Sequence, residues 1–211
     1  MTKTRLQEMY PDSISFPNLH ITFSHVGKNI AVGNFPIAFY GMVIALGMIV
    51  ALFFILNEAK RVGLKQDDTL DFFLFAILFG VIGARIYYVI FSWDLYKDDL
   101  LSILNLRNGG LAIYGGIIGG VITVYVLCRK KELPFLKVLD VVIIGVVIGQ
   151  IFGRWGNFFN REVFGGYTDN IFAMRLPIEA VRARDITPAL EATIQAGENF
   201  IQVHPTFLYE S

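Results

Sequence analysis

VVIIGVVIGQIFGRWGNFFN, residues 141–160, runs for twenty residues with a single charge, Arg154. As a helix this length rises about 30 Å, the thickness of the hydrocarbon core of a bilayer. Three further runs have the same character: 36–57 and 111–128 hold no charge, and 72–91 holds only Arg85. Val, Ile and the aromatics are abundant, but membrane β-strands alternate over about ten residues, and these runs are continuous. The reading is an all-α fold, a polytopic transmembrane helix bundle.

The rest of the chain agrees. Of 211 residues 55% are hydrophobic and 17% charged, and the mean hydropathy is +0.55, too apolar for an ordinary water-soluble domain. With 18 basic and 18 acidic residues the net charge is zero, so no overall field points to nucleic acid. Cys128 is the sole cysteine, which rules out an internal disulfide and a cysteine metal site. Three scattered histidines lack ligand spacing, and no phosphate-binding glycine loop occurs, so neither a metal nor a nucleotide cofactor is expected. The first 30 residues mix Lys3, Arg5, Glu8, Asp12 and Lys28 without the apolar stretch of a cleaved signal peptide.

Orientation follows from the basic residues. Segments 58–69 and 129–137 carry seven Lys and Arg in 21 residues, whereas 92–110 and 161–203 carry six in 62. The first two are therefore assigned to the cytoplasm and the N-terminus to the outside. The expected organisation is an N-terminal extracytoplasmic or interfacial segment (1–35), a transmembrane bundle (36–160), and a small extracytoplasmic head (161–203) in which 178–197 forms short helices broken at Pro188. Glycines four apart (Gly115/Gly119, Gly116/Gly120, and Gly145, Gly149, Gly153) are the small-residue faces that let helices approach in lipid.

On this topology the polar residues gather on one side. Arg85 falls in the outer half of the second span, and Arg154 and Asn157 near the outer end of the fourth. Tyr114, after Gly109 and Gly110, opens the third span from outside, Tyr40 lies at the outer start of the first, and His204 follows the head. A guanidinium in hydrocarbon costs at least about 2.5–3.5 kcal/mol, so each arginine must be paired, snorkelling or facing a cavity. Arg85 reads either as an anchor or as a ligand for an anion. Asn157 shares a helical face with Arg154 at i+3, and a permanently charged fork beside a neutral amide suits an anionic headgroup.

The stretch GRWGNFFNREVFGG (153–166), with FYG (39–41), GARIYYVIF (83–91), GGLAIYGG (109–116) and HPTFLYE (204–210) in the same order, resembles the prolipoprotein diacylglyceryl transferase family over about 35–211. The resemblance implies an enzyme of bacterial lipoprotein biosynthesis, multi-pass in the cytoplasmic (inner) membrane among its lipids. It would move the diacylglyceryl group of phosphatidylglycerol to the lipobox cysteine of a prolipoprotein signal peptide. The products are a thioether and glycerol phosphate; no cofactor is needed. Arg154 would hold the lipid phosphate, with Asn157 on the headgroup and Glu162 orienting the arginine. Arg85, Tyr40, Gly165 and His204 are the remaining substrate-binding candidates. Tyr114 stands where many relatives have histidine, and a phenol of pKa about 10 is a weak base at neutral pH, so either Tyr114 only hydrogen-bonds or the arginine field stabilises the thiolate; His204 is the substitute base. The family continues past HPTFLYE into further spans with another arginine, so residues 204–211 are expected to begin a truncated helix. The competing classes are an anionic-lipid or anion transporter, for which no repeated halves are visible, and a structural assembly subunit.

Overall fold

A computed structural model describes residues 12–33, 35–106, 109–195 and 197–211; the first part of the expected N-terminal segment, residues 1–11, lies outside them. The fold is mostly helical, 61%, with four long apolar helices and some small sheets. The helices are α1 (Phe39–Arg61), α2 (Gln66–Phe91), α3 (Ile113–Lys131) and α4 (Phe135–Asn160), each long and apolar enough to cross a membrane. All four expected spans are present. Their boundaries differ because a helix stops where its backbone is interrupted rather than where hydrocarbon ends. Pro36 pairs with Ala31 in a two-stranded ribbon, β3 (Asn29–Val32) with β4 (Phe35–Ala38), which delays α1 to Phe39. At the other end Gly63, at φ 78°, follows the last turn of α1, and Glu132, at φ 55°, caps α3 in the left-handed region.

The chain forms two compact units. Residues Val50–Val146 make one, built from the second half of α1, all of α2 and α3, and the first half of α4. Its core contains Ile55, Ala59, Phe72, Val124, Cys128 and Val138. In lipid no hydrophobic effect drives helices together, so close backbone packing must do so. A Cβ added at Gly83 would lie 2.5 Å from the Gly115 carbonyl, and one at Gly119 would lie 2.5 Å from that of Phe79. The Gly115/Gly119 face is thus the contact face of α3 on α2, while Gly120, Gly149 and Gly153 face open space. Gly115→Leu is expected to push the two helices apart and cost about 1–3 kcal/mol or more, read as a lower unfolding temperature in detergent; an unchanged temperature would refute this packing.

Residues Met1–Ile49 with Val147–Ser211 make the other unit. Its described part holds a four-stranded antiparallel sheet in the order β2 (Ile21–Phe23), β1 (Ile14–Phe16), β5 (Met174–Pro177), β6 (Phe200–Val203). Ile14, Leu176, Ile201 and Val203 are buried at its centre. Between β5 and β6, where short helices were expected, the described residues form three single helical turns, Ile178–Ala180, Ala183–Asp185 and α5 (Pro188–Glu191), and Pro188 starts the last of them where it was expected to break a helix. Strand β1 precedes α1 and β5 follows α4, yet Ser15 pairs with Arg175. This pairing of the segments before α1 and after α4 fits the even number of crossings that four spans would make.

Candidate active site

The last two turns of α4 carry Arg154 and Asn157. Gly156 lets the Tyr40 ring lie directly against this helix: an added Cβ would meet Tyr40 Cδ2 at 2.7 Å. Phe39 stacks on Phe159 at 5.3 Å between ring centroids, so the start of α1 is held beside the end of α4. The helix ends where Arg161 and Val163 both adopt φ 54°, a backbone region unfavourable to branched side chains and held here by tertiary contacts. Arg161 is fully buried. Its Nη2 donates to the carbonyls of Asp12, at 2.6 Å, and Val26, and its Nη1 to that of Phe159, while Nε has no partner among the described residues. Burial pulls this guanidinium below its ordinary pKa, opposed by Asp12.

Arg154 forms an ion pair with Glu210, Nη2 to Oε2 2.5 Å, with side-chain exposures of 33% and 47%. Glu162, expected to orient Arg154, does something else. It accepts from Arg182 Nη1 at 2.9 Å and from Asn160 Nδ2 at 3.1 Å. Arg182 also donates to Asp185 at 2.7 Å, and this hydrogen bond above all holds its pKa above the ordinary value. The correction has a geometric cause: the chain reverses at Arg161, which turns Glu162 toward the head, and HPTFLYE returns along α4 to supply the acid. Asn157, Arg161, Glu162 and Thr206 nevertheless line one small cleft with Phe158 and Phe164.

Gly165 donates its N–H to the His204 carbonyl and the His204 N–H returns to the Gly166 carbonyl, both at 3.0 Å. A Cβ at Gly165 would meet His204 Cβ at 2.9 Å, so the glycine serves close chain approach. His204 Nδ1 lies 3.4 Å from the Tyr209 hydroxyl, which also accepts from Asn170 at 3.0 Å. Pro205 caps a single helical turn, α6 (Thr206–Tyr209), and Thr206 Oγ1 donates to the Val163 carbonyl. Trp155 and Phe158 of α4 pack on Phe207, at 5.2 and 4.7 Å.

Six of the expected residues, Tyr40, Arg154, Asn157, Glu162, Gly165 and His204, thus lie in one unit. Arg85 and Tyr114 belong to the other. Tyr114, on the first turn of α3, is largely exposed, with its ring 6.3 Å from that of Tyr87. Arg85 was a candidate headgroup ligand, but all five of its N–H donors are spent on backbone. Nε donates to the Ile103 carbonyl at 2.7 Å, Nη1 to Gly109 at 2.9 Å and Gly110 at 2.8 Å, and Nη2 to Ser102 at 2.9 Å and Asn105 at 3.1 Å. A guanidinium so committed has no fork left for a phosphate, which replaces the ligand role with a structural one. Sequence reasoning missed Glu210 and Arg161. The first had a signal, since it closes the HPTFLYE motif; Arg161 looked like an ordinary loop cation.

A family model described as prolipoprotein diacylglyceryl transferase matches residues 28–211. Curated relatives named phosphatidylglycerol–prolipoprotein diacylglyceryl transferase include that of Clostridioides difficile (strain 630), 42% identical over 175 residues, 83% of this chain and 62% of the relative. That of Finegoldia magna is 41% identical over 181 residues, 86% and 64%, and that of Halalkalibacterium halodurans 40% over 182 residues, 85% and 59%. The chain spans about three fifths of the length of these relatives. Similarity across both units, from the β3–β4 ribbon through all four spanning helices to HPTFLYE, leaves no separate origin for either, and the chain belongs to the prolipoprotein diacylglyceryl transferase family.

Proposed function

We propose that this chain carries the lipid-gripping half of a transferase that moves diacylglycerol from phosphatidylglycerol to the lipobox cysteine of a prolipoprotein. The cysteine sulfur attacks the diacylglycerol carbon bonded to the phosphate oxygen, a C–S bond forms as the C–O bond breaks, and glycerol phosphate leaves with the electron pair. The thiol proton ends on solvent or on the released phosphate. The observation that carries this reading is the state of Arg154: a third exposed and, among the described residues, paired with a half-exposed carboxylate, Glu210. An ion pair of that exposure is worth about 0–1 kcal/mol, so a lipid phosphate can displace Glu210 and take the guanidinium fork. Asn157, three residues on, would bond the headgroup, and Tyr40 against Gly156 would wall the site. Glu162 with Arg182 and the Gly165–His204 contact would hold the rim in shape.

The site belongs on the extracytoplasmic side of the cytoplasmic membrane, where an exported precursor presents its cysteine. The concentration of Lys and Arg in 58–69 and 129–137 supports this. The test follows labelled phosphatidylglycerol in vesicles containing the full-length protein and a lipobox peptide. Thioether-linked diacylglycerol and stoichiometric glycerol phosphate are expected; lipid binding or transbilayer movement without peptide modification would favour an anionic-lipid transporter instead.

Tyr114 gives a graded prediction. Its side chain is exposed, and its contribution is taken as one hydrogen bond of about 0.5–1.5 kcal/mol. Tyr114→Phe is expected to slow transfer by no more than about tenfold, with the rate still rising toward the thiol pKa of about 8.5. A loss beyond about 100-fold would make it a proton-transfer group.

A further inference from the structure

The connection between α2 and α3 holds two short turns, Trp93–Leu95 and Leu100–Leu104, and then returns to Ile113. Its depth can be read from its bonds. The Ala112 N–H donates to the Ala84 carbonyl at 3.0 Å, and Ala84 lies seven residues before the end of α2 at Phe91. At 1.5 Å per residue, the chain at Ala112 therefore sits about 10 Å inside the end of α2. The carbonyls of Ser102, Ile103, Asn105, Gly109 and Gly110 all converge on the guanidinium of Arg85, the residue next to Ala84. Irregular backbone at that depth survives in a membrane only if its polar groups are satisfied by protein or water.

Arg85 supplies that satisfaction. It is buried, its charge faces five carbonyl oxygens, and its Cζ lies 5.0 Å from the Tyr96 ring centroid. The loop satisfies part of the remainder itself. Asp99 Oδ1 accepts from the Leu101 N–H, and the Ser102 and Asn105 N–H groups bond within the turn. Side chains point the other way: Leu100, Leu101 and Leu104 are 59%, 79% and 80% exposed. Ile90 and Phe91 on α2 and Ile113 and Ile117 on α3 are likewise exposed apolar side chains. Among the described residues of the connection the charged ones all fall in 94–99, with Asp94 paired to Lys97 at 2.9 Å and Asp98 and Asp99 adjoining. A loop standing in water would have no reason to send carbonyls inward and leucines outward.

We infer that residues 100–106 and 109–112 form a re-entrant loop embedded in the outer part of the bilayer, with Leu100, Leu101 and Leu104 in contact with acyl chains and Arg85 as the internal counter-dipole that lets its backbone sit there. The occupant of the apolar face is bilayer lipid, because the return of the loop at Ala112 lies about 10 Å inside the end of α2. This makes Arg85 a positioning residue for the start of α3, and the inference stands whatever reaction the protein catalyses.

Leu101→Cys and Leu104→Cys, each carrying a nitroxide label, test it in the full chain reconstituted into phosphatidylcholine–phosphatidylglycerol vesicles. Both positions are exposed, so the substitutions disturb no packing, and native Cys128, buried, serves as the labelling blank. Collision with oxygen, which concentrates in hydrocarbon, is compared with collision with an aqueous nickel chelate. Leu78→Cys, at an exposed site on α2, gives the lipid reference, and Arg184→Cys, 75% exposed, gives the water reference. Both loop labels are expected to favour oxygen several-fold and to read closer to Leu78. Either label reading closer to Arg184 overturns the inference.

Discussion

Arg154→Ala is expected to lower diacylglyceryl transfer about 10²- to 10³-fold while leaving the folded protein nearly as stable as before. Removing one preorganised donor from developing negative charge costs that much in other enzymes, and Arg154 would supply two donors and a full charge to the departing phosphate. The stability half follows from exposure: a rim pair such as Arg154–Glu210 contributes about 0–1 kcal/mol. Arg154→Lys keeps the charge but loses the planar fork, so it should fall between the wild type and alanine. Glu210→Gln separates two roles for the acid. If Glu210 only occupies the guanidinium in the absence of lipid, this variant binds phosphatidylglycerol more tightly. Initial rates with labelled phosphatidylglycerol, beside thermal unfolding of the same preparations, decide the matter. Transfer that survives in Arg154→Ala removes the arginine from the mechanism.

Arg85→Leu should do the opposite, damaging the fold before the chemistry. Five backbone carbonyls lose their donors at once, and each buried, unsatisfied group costs about 1–3 kcal/mol. Relaxation of the loop and access of water recover part of this, so the net loss is that of one or two such groups, roughly 2–4 kcal/mol. Lysine offers three donors for five acceptors and should recover only part of the loss. The measurement is thermal unfolding in detergent together with limited proteolysis, which should newly cut between Ser92 and Ala112. An unchanged unfolding temperature with an unchanged digest would show that water already serves those carbonyls.

What could be read from the sequence was whatever depends on length and composition. Four apolar runs gave four spans because crossing hydrocarbon requires about 20 apolar residues. The motif around Arg154 was legible because an arginine and an amide at i+3 must share a face. Contacts between distant segments were not. Nothing local says that Arg161, counted as one more basic residue, would be buried with its guanidinium on Asp12, 149 residues upstream. Short helices were expected in IEAVRARDITPALEATIQAG and helical turns occur there, but the core of the head is made by MRLP and FIQV on either side of it, four-residue strands that the sequence reading did not expect. These are too short for a period-2 pattern and are specified by their partners across the sheet. Glu162 was assigned to Arg154 from proximity in sequence, and the left-handed backbone at Arg161 defeats that argument.

The sheet that joins β1 to β5 also constrains biogenesis. Ser15 must find Arg175, a separation of about 160 residues that a ribosome needs roughly ten to thirty seconds to synthesise at 5–20 residues per second. Throughout that interval β1 has only β2 beside it, and its other edge is an open template for stray pairing. Every intervening helix must thread the membrane in the right sense before the edge can be sealed, so an insertion error anywhere in the bundle would be felt first as an unclosed sheet at the surface.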